Sequence, residues 1–540
     1  MMKRRISFAA FALTVILPAF AQDTYESARL LGSDLNGTAR YVGMGGAMDA
    51  LGADISTISS NPAGIGLFRH STVSASLGLV SQQDAHKFDD KSTTTVSFDQ
   101  AGFVYSARLN RASFVNFAFN YHKSRNFNQI LSAANALDGS SQNGLAYHKA
   151  LNNIYYFETN NQNEAMGYYS PSEVSWAFSE ADYLNANVLM CDAEKHLQDK
   201  DAPWIYYNEA NGYSFDRAHR GWINNFDLNI SGNVNDRFYW GLTIGLKHVN
   251  YKGYSEYAES LIDKDDKPVG AVSIGDERKI KGTGLDVTAG VIFRPVEASP
   301  FKIGLTISTP TWYDLSTSND TYMLNQTERI LEDGTVEQLG FWDNGHSHQD
   351  YDFKFYTPWK FGVSLGHTIG NQVAIGAGYE FSDYSASTNR VNKSDGYWYR
   401  DYGYSPSYTD EPMKRNTEKS LKGVHTLRAG VEFKPVPEMA VRFGYNYVSS
   451  PYEKDGVRDM TIESPGVAYS STTDYVNWQD THRITCGLGV KLDKWNIDLA
   501  YQYNTTKGDF HPFQPYAGGN GVREVSNKRH QVLMTVGYTF

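Results

Sequence analysis

The chain has 540 residues, of which 41% are hydrophobic, and it carries a formal net charge of −11. This acidic balance argues against nucleic acid as a partner and against a polybasic membrane tether. Only two cysteines, Cys191 and Cys486, are present, so disulfides do not staple the fold and we expect two free thiols. After residue 21 no apolar run reaches the roughly eighteen residues that a membrane helix needs.

Residues 1–21 have the pattern of an export signal. Three basic residues precede an apolar stretch, Ile6–Phe20, and Ala19-Phe20-Ala21 fits a cleavage site before Gln22. An uncleaved membrane anchor is the alternative, but the apolar stretch is short and Pro18 interrupts it. We therefore expect an exported protein.

Residues 22–70 show no strand-like alternation. They contain Gly43-Met44-Gly45-Gly46-Ala47 and Asn61-Pro62-Ala63-Gly64. The glycine run is not a dinucleotide-binding fingerprint, because Met48 stands at the third glycine position and no strand precedes the run. Small residues permit close backbone packing, and Asn61-Pro62 is typical of a turn. We expect this segment to fold back as a plug, or hatch, inside the domain that follows.

Residues 71–540 alternate apolar and polar side chains in fourteen segments, the pattern of strands with one apolar face. An even number of such strands predicts an all-β fold, a 14-stranded antiparallel transmembrane β-barrel, since closure satisfies every backbone group in lipid. The segments are Val73–Leu79, about 95–109, Val115–Tyr121, Phe226–Ile230, Phe238–Leu246, Leu285–Phe293, Ile303–Ile307, Tyr351–Leu365, Val373–Phe381, Leu427–Phe433, Met439–Tyr447, Ile484–Leu492, Ile497–Tyr503 and Val532–Phe540.

The connections between these segments alternate between tight turns and long polar stretches. Short periplasmic turns opposite long outer loops are typical of outer-membrane barrels, whereas a secreted two-sheet protein would not require this asymmetry. The last strand, ending at Phe540, should pair with the first near Val73–Leu79. The long loops are expected at about 83–94, 124–220, 252–278, 311–350, 385–420, 449–480 and 504–528. Aromatics placed for the two membrane interfaces are Trp222, Trp240, Tyr251, Trp359, Tyr379, Tyr445, Trp495 and Tyr501.

With the glycine run, Asn61-Pro62-Ala63-Gly64 before the first strand, fourteen strands and a terminal Tyr538-Thr539-Phe540, the chain resembles the FadL-like outer-membrane transporters of long-chain fatty acids and aromatic hydrocarbons. The resemblance implies ligand capture by the outer loops, passage through an apolar lumen past the hatch, and lateral exit through the wall. It places Asn61, Pro62 and Ala63 beside an inward kink of the third strand, within about residues 113–123.

The implied location is the Gram-negative outer membrane, with membrane lipid and lipopolysaccharide as surroundings. The terminal aromatic of such barrels resembles the mark that the barrel assembly machinery reads during biogenesis. We expect no nucleic-acid partner.

Within the largest outer loop, a helix beginning near Ser172 would place Val174, Phe178 and Leu184 on one face. This face could first capture a ligand, or it could pack against the loop's own core. His346 and His348 could bind a metal or haem iron, although such a pair in a polar loop is more often solvated.

Five charged residues fall on the lumen-facing phase of their strands, where ion pairing is expected: Asp227, Asp286, Glu380, Arg428 and Glu432. No hydrolase, metalloprotease or phosphate-loop motif is present, so we expect neither an enzyme nor a cofactor. The sequence favours passive transport of hydrophobic small molecules, most simply long-chain fatty acids. The alternatives are a protein-binding or secretion-associated barrel and a haem-binding receptor.

Overall fold

The computed structural model describes residues 22–89, 91–153, 155–159, 165–169, 190–191, 205–263, 265–330, 336–339, 345–392, 407–514, 516 and 519–540. The expected export signal lies outside these residues. Within them, fourteen antiparallel strands form a closed wall, which confirms the predicted fold class. We number the wall strands in chain order: β1 Thr72–Gln83, β2 Thr94–Arg108, β3 Phe114–Asn126, β4 Glu209–Val234, β5 Phe238–Ile262, β6 Pro268–Phe293, β7 Lys302–Ser308, β8 Lys360–Ile369, β9 Val373–Asp383, β10 Gly423–Val436, β11 Met439–Val448, β12 Tyr475–Leu492, β13 Trp495–His511 and β14 Arg523–Thr539.

The terminal strand closes the barrel as expected. β14 pairs with β1 from Thr72↔Thr539 to Gln83↔Lys528, and the Phe540 N–H donates to the Ser71 carbonyl at 3.0 Å. Along β14, Val532 and Met534 are 42% and 46% exposed, whereas Leu533 between them is fully buried. The exposed phase is apolar, so the outer face of the wall is suited to lipid.

No helix among the described residues combines the length and apolar character needed to cross a bilayer.

Most of the aromatics expected at the membrane interfaces lie on the outer face, but the prediction is wrong for Tyr251. That side chain is 3% exposed, because odd-numbered residues of β5 face inward while Leu242, Ile244 and Leu246 face outward. Three outward tyrosines bond histidines of the next strand: Tyr379 to His425, Tyr445 to His482 and Tyr501 to His530, at 2.7–2.8 Å.

Several stretches expected as polar outer loops are instead strands that extend the wall. β4, β5 and β6 have 26, 25 and 26 residues, so most of 252–278 and the end of 124–220 belong to them. Within 311–350, Trp312–Ile330 and the start of Gly345–Tyr356 are strands, and these two strands pair from Trp312↔Tyr356 to Met323↔Gly345. The expected single segment Tyr351–Leu365 divides near Pro358: Phe353 and Phe355 are buried on the inner face, and Phe361 and Val363 are exposed.

The inner face of these extensions carries an apolar core that the polar sequence concealed. Phe215, Tyr257, Ile274 and Phe510 belong to this core. We call the extension strands, together with residues 407–420 and 449–474, the outer cap. In the membrane the apolar side chains face out, and in the outer cap they face in.

Additional strands are Gln129–Ser140, Tyr155–Thr159, Ala165–Tyr169, Met190–Cys191, Ile205–Tyr206, Trp312–Ile330, Val336–Leu339, Gly345–Tyr356, Thr388–Asn392 and Ser407–Thr409. The α-helices are α1 Thr24–Leu31, α2 Ala39–Gly43, α3 Gln142–Asn153, α4 Glu411–Ser420 and α5 Pro465–Ala468, and the 3₁₀ helices are Ile55–Ile58, Pro62–Leu67 and Tyr384–Ala386.

Candidate functional site

Residues 22–70, the N-terminal segment, pack against inward-facing residues of the wall as a series of short helices. Each helix follows a side chain that accepts a backbone N–H from its first turn. These caps are Asp23, Thr38, Asp54 and Asn61. Capping satisfies donors that a short helix cannot satisfy itself, so the segment can change direction several times while buried.

The glycine run lies directly on a row of glycines in the wall. Gly45 and Gly46 adopt φ angles of +63° and +78°, a region that favours glycine. A Cβ added to Gly45 would lie 2.7 Å from the Tyr445 backbone nitrogen. Four glycines of β8–β11 stand side by side in register: Gly376, Gly430 and Gly444 lie beneath the run, and Gly366 lies beneath Ala50 and Leu51 just after it. We call these four the glycine row; its lack of side chains allows the run to contact the strands backbone to backbone.

Asn61-Pro62-Ala63-Gly64 packs on the opposite part of the wall, against β3–β6. The Asn61 side chain accepts the Ala63 N–H at 3.2 Å. Nearby, Asn116 of β3 donates to the Ile65 carbonyl and Thr243 of β5 to the Ile58 carbonyl, both at 2.7 Å. The contact with β3 is therefore made by Ile65, directly after the element, whereas Pro62 lies against Gly241 of β5 and Asn61 against Gly290 of β6.

The irregularity of β3 lies slightly beyond the expected window. Its register with β4 shifts between Lys123 and Arg125, not within 113–123. Pairing of β2 with β3 ends at Gln100↔His122, although β2 begins at Thr94. Above this point β2 and β3 separate.

The N-terminal segment closes the separation between β2 and β3. The Asn36 Nδ2 donates to Asp99 of β2 at 2.9 Å and to the Lys123 carbonyl of β3 at 3.0 Å. The Asp34 N–H donates to the Ser124 carbonyl at 2.8 Å, and the Asn126 N–H donates to the Asp34 carboxylate at 2.8 Å. On the edge of β3 that faces β2, the backbone groups of residues 123–126 are therefore bonded by a loop of the N-terminal segment and not by a strand.

A cavity of about 330 Å³ lies between the N-terminal segment, the wall and the outer cap. Its apolar lining includes Leu31, Phe127 and Ile223, which belong to one buried cluster. Its charged lining contains eight basic side chains and four acidic ones. The basic residues are Arg29, Arg125, Arg217, Lys247, Lys360, Arg428, Arg483 and Arg529, and the acidic residues are Asp34, Asp227, Asp286 and Glu380. A cavity of this size lies within the range of small-molecule sites, and its excess of cations favours a ligand with an anionic group.

The expected ion pairing of the lumen is confirmed, but it also involves the N-terminal segment. Arg428 bonds Glu380 of the wall at 2.7 Å and Asp49 of the N-terminal segment at 3.0 Å. Glu432 pairs with Arg442 at 2.6 Å and with Arg40 of the N-terminal segment at 3.1 Å. Asp227 lies 3.0 Å from His122, and Asp286 pairs with Lys247. These charges connect the N-terminal segment to the wall as well as bracing the wall itself.

The outer end of the N-terminal segment is held by the outer cap. Arg458, fully buried, donates to Asp23 at 2.8 Å, to the Asp474 carbonyl at 2.8 Å and to Ser470 at 3.2 Å. Glu26 of α1 lies 3.8 Å from Arg458 and pairs with Arg278 of β6. α1 is therefore fixed by charge on two sides.

Comparison with known proteins gives the fold but no sequence family. No family model and no curated protein matches the chain. Among solved structures, a Pseudomonas aeruginosa FadL homologue matches 94% of this chain and all of its own, at 11% identity and a TM-score of 0.50. The chain has the FadL-like fold. The Pseudomonas putida toluene transporter TodX aligns over 94% of this chain and 100% of its own, at 11% identity and a TM-score of 0.48. The Ralstonia pickettii toluene transporter TbuX aligns over 94% of this chain and 99% of its own, at 11% identity and a TM-score of 0.47.

The FadL-like barrel, with its even strand number and apolar outer face, is a protein of the Gram-negative outer membrane.

The predicted capture residues, Val174, Phe178 and Leu184, lie outside the described residues. His348 is exposed on an extension strand, with its two ring nitrogens 2.7 Å from Asp320 and 3.2 Å from Asp350. Hydrogen bonds that the ring donates to these carboxylates raise the pKa of His348, which favours a charged imidazolium over an iron ligand. The side chain of His346 lies outside the described part of the chain.

Over the described residues, no cluster of three or more His, Cys, Asp or Glu side chains could hold a metal ion. Cys486 is a free, partly buried thiol of β12.

The sequence reasoning missed two parts of this site. The glycine row is visible only as a glycine on the lumen-facing phase of four consecutive strands, and glycine contributes nothing to a hydrophobic pattern. The contacts of Asp34 and Asn36 join the N-terminal segment to residues of β2 and β3 about sixty to ninety positions later, and no local motif marks them.

Proposed function

We propose that this FadL-like barrel conducts hydrophobic small molecules passively across the outer membrane. The observation that carries the proposal is the 330 Å³ cavity, bounded by the N-terminal segment, at a place where that segment closes a separation between β2 and β3. The solved barrel of the same fold is described as a FadL homologue, and TodX and TbuX as toluene transporters. A molecule in the cavity would therefore be separated from the lipid-facing side of the wall by the contacts that the N-terminal segment makes with β2 and β3.

The preferred substrate is an amphiphile similar to a long-chain fatty acid. Apolar side chains such as Leu31 and Phe127 would contact an alkyl chain, with roughly 0.8 kcal/mol gained per buried CH₂. The cationic excess of the cavity would attract a carboxylate. Movement past the glycine run and Asn61-Pro62-Ala63-Gly64, acting as the hatch, would follow, and the substrate would leave between β2 and β3.

No chemical transformation is part of this function, and no cofactor is needed. The terminal Phe540, exposed at the edge of the closing strand, is available to the assembly machinery during biogenesis. Membrane lipid and lipopolysaccharide would surround the apolar belt.

Flux through reconstituted protein tests the proposal. Deleting residues 41–66, or replacing Pro62, should change the rate at which liposomes take up a fluorescent fatty acid, while heat-modifiable gel mobility shows that the barrel remains closed. Lipid carried through purification and identified by mass spectrometry would support the same function. A closed barrel with unchanged flux after the deletion would refute the role of the N-terminal segment.

A further inference from the structure

One carboxylate, Asp34, stands among three arginines where the cavity meets the separation between β2 and β3. Its side chain lies 3.7 Å from Arg125 and 3.9 Å from Arg483. Arg529 donates to the carbonyl of Asn126 at 3.2 Å, and the Asn126 N–H donates to Asp34 at 2.8 Å. Three cations therefore surround one anion.

The arginines are incompletely satisfied. Arg483 is 6% exposed, and its Nε, like that of Arg529, bonds no partner among the described residues. Buried guanidinium donors without acceptors are costly. The site can therefore accept more negative charge than Asp34 provides.

Asp34 also separates two spaces. It lines the 330 Å³ cavity and a second cavity of about 30 Å³, and Asn36, Asn126 and Arg529 line both as well. The smaller cavity is bordered by Val80 of β1 and Asp99 of β2. Displacing Asp34 would therefore connect the lumen with the side of the wall where β2 and β3 separate.

The contacts that hold this part of the N-terminal segment to the wall are all made by residues 34–36. The Asp34 N–H bonds the Ser124 carbonyl, its carboxylate accepts the Asn126 N–H, and Asn36 two residues later bridges Asp99 and Lys123. A change in the position of the Asp34 carboxylate would loosen these bonds together, because one short stretch of chain makes all of them.

We propose that Asp34 occupies, from within the chain, the binding site of a ligand's anionic group, and that a bound carboxylate among Arg125, Arg483 and Arg529 displaces it and releases the closure between β2 and β3. The proposal rests on the transport function above and assigns its substrates to the anionic amphiphiles. Neutral hydrocarbons would enter the cavity but would not compete with Asp34.

Binding of oleate and of its uncharged methyl ester to purified full-length protein tests this assignment. The Asp34→Asn variant removes the competing charge and retains an acceptor for the Asn126 N–H. We expect oleate to bind it roughly tenfold more tightly, a difference of about 1.4 kcal/mol, and methyl oleate to bind unchanged, because only the carboxylate of oleate competes with Asp34. Arg483→Met should weaken oleate binding by a similar factor and leave methyl oleate unaffected.

Lys360→Met is the matched control, because Lys360 lines the same cavity without contacting Asp34, and its effect on oleate should be smaller than that of Arg483→Met. Hydrogen exchange at residues 34–37 and 123–128 should accelerate on adding oleate and not on adding its ester. Equal affinity of wild type and Asp34→Asn for oleate, or equal shifts for acid and ester, would overturn the assignment. A folded wild type that binds neither compound would instead refute the proposed function.

Discussion

Two parts of the N-terminal segment are attached to the barrel by different means: α1, its outer end, and the glycine run, which we call its inner end. At the outer end, α1 is held by Arg458 and Arg278, which pair with Asp23 and Glu26 in a buried setting. At the inner end, ion pairs such as Arg40–Glu432 are also present, but the glycine run additionally rests on the glycine row, backbone against backbone.

This difference predicts different sensitivities. A buried ion network depends on every partner being present and correctly charged. A glycine contact depends on shape, so an added methyl group disturbs it while salt and pH do not. The outer end should therefore respond mainly to charge, whereas the inner end, which has ion pairs as well, should in addition respond to volume.

The largest expected effect is at the outer end. Arg458→Met would leave Asp23 and Glu26 with less compensation in a buried site, a loss of about 3–5 kcal/mol for a broken buried pair. Hydrogen exchange of residues 24–31 should rise steeply. Lys507→Met, which breaks the exposed pair with Glu524, is the control and should change stability by less than about 1 kcal/mol. If α1 is protected from exchange equally in Arg458→Met and the wild type, ion pairing does not hold the outer end.

The outer cap should also respond to pH through Glu259. Burial raises the pKa of Glu259 to about 7, from an ordinary value of 4.5, against hydrogen bonds from Tyr257 and the Gln142 N–H. Between these pH values the folded cap holds more protons than the unfolded one, so its stability should fall as pH rises from about 4.5 to 7, by at most about 1.4 kcal/mol per pH unit.

The Glu259→Gln variant, whose side chain cannot ionise, is the control for this pH dependence. Hydrogen exchange in residues 255–262 and 142–148 should depend on pH in the wild type, after correction for intrinsic exchange, and should lose that dependence in the variant. A dependence that persists in Glu259→Gln would assign it to another group.

A smaller effect is expected at the inner end. Gly430→Ala would place a methyl group against the Met44 backbone, and such overpacking typically costs about 1–3 kcal/mol. The glycine run should move away from the glycine row, which would expose residues 41–48 to protease and raise ligand flux. At Gly378, two residues above Gly376 on β9, the nearest atom to an added Cβ is 3.8 Å away, so Gly378→Ala should have little effect. Equal results for the two alanine variants would show that the row does not seat the run.

The sequence predicts the wall well because lipid imposes a strict alternation on each strand. Val532 and Met534 face out and Leu533 faces in, and the same logic places Asp286 and Arg428 in the lumen. The outer cap escaped prediction because its strands stand in water: their outer face is polar and their inner face packs on one another, which leaves a weak pattern in a polar stretch. Tyr251 faces inward because, as an odd-numbered residue of β5, it lies on the same face as Tyr239 and Val249.

The candidate site was less predictable than the wall, since its key contacts join residues far apart in the chain. Asp34 meets Arg125 and Arg483, and no spacing rule connects these positions. The glycine run and Asn61-Pro62-Ala63-Gly64 could be singled out from the sequence, and their role as a hatch remains a prediction.

The smallest effect is expected midway between the two ends, at Asn36. Asn36→Ala removes the two side-chain hydrogen bonds that join β2 to β3 through the N-terminal segment, and a third that Gln531 of β14 donates at 3.2 Å. We expect a net cost of about 1 kcal/mol, because water can replace part of what is lost. Asn128→Ala is the control: Asn128, two residues after β3, donates to Thr95 of β2 at 3.1 Å and accepts the Gly221 N–H of β4 at 3.3 Å, so its side-chain bonds go to the wall and not to the N-terminal segment. If the segment closes the wall, Asn36→Ala should raise flux of a fatty acid into liposomes, while α1 and the glycine run keep their protection from exchange. If Asn128→Ala raises flux equally, the closure belongs to the wall itself, and the two attached ends of the segment serve only to fill the lumen.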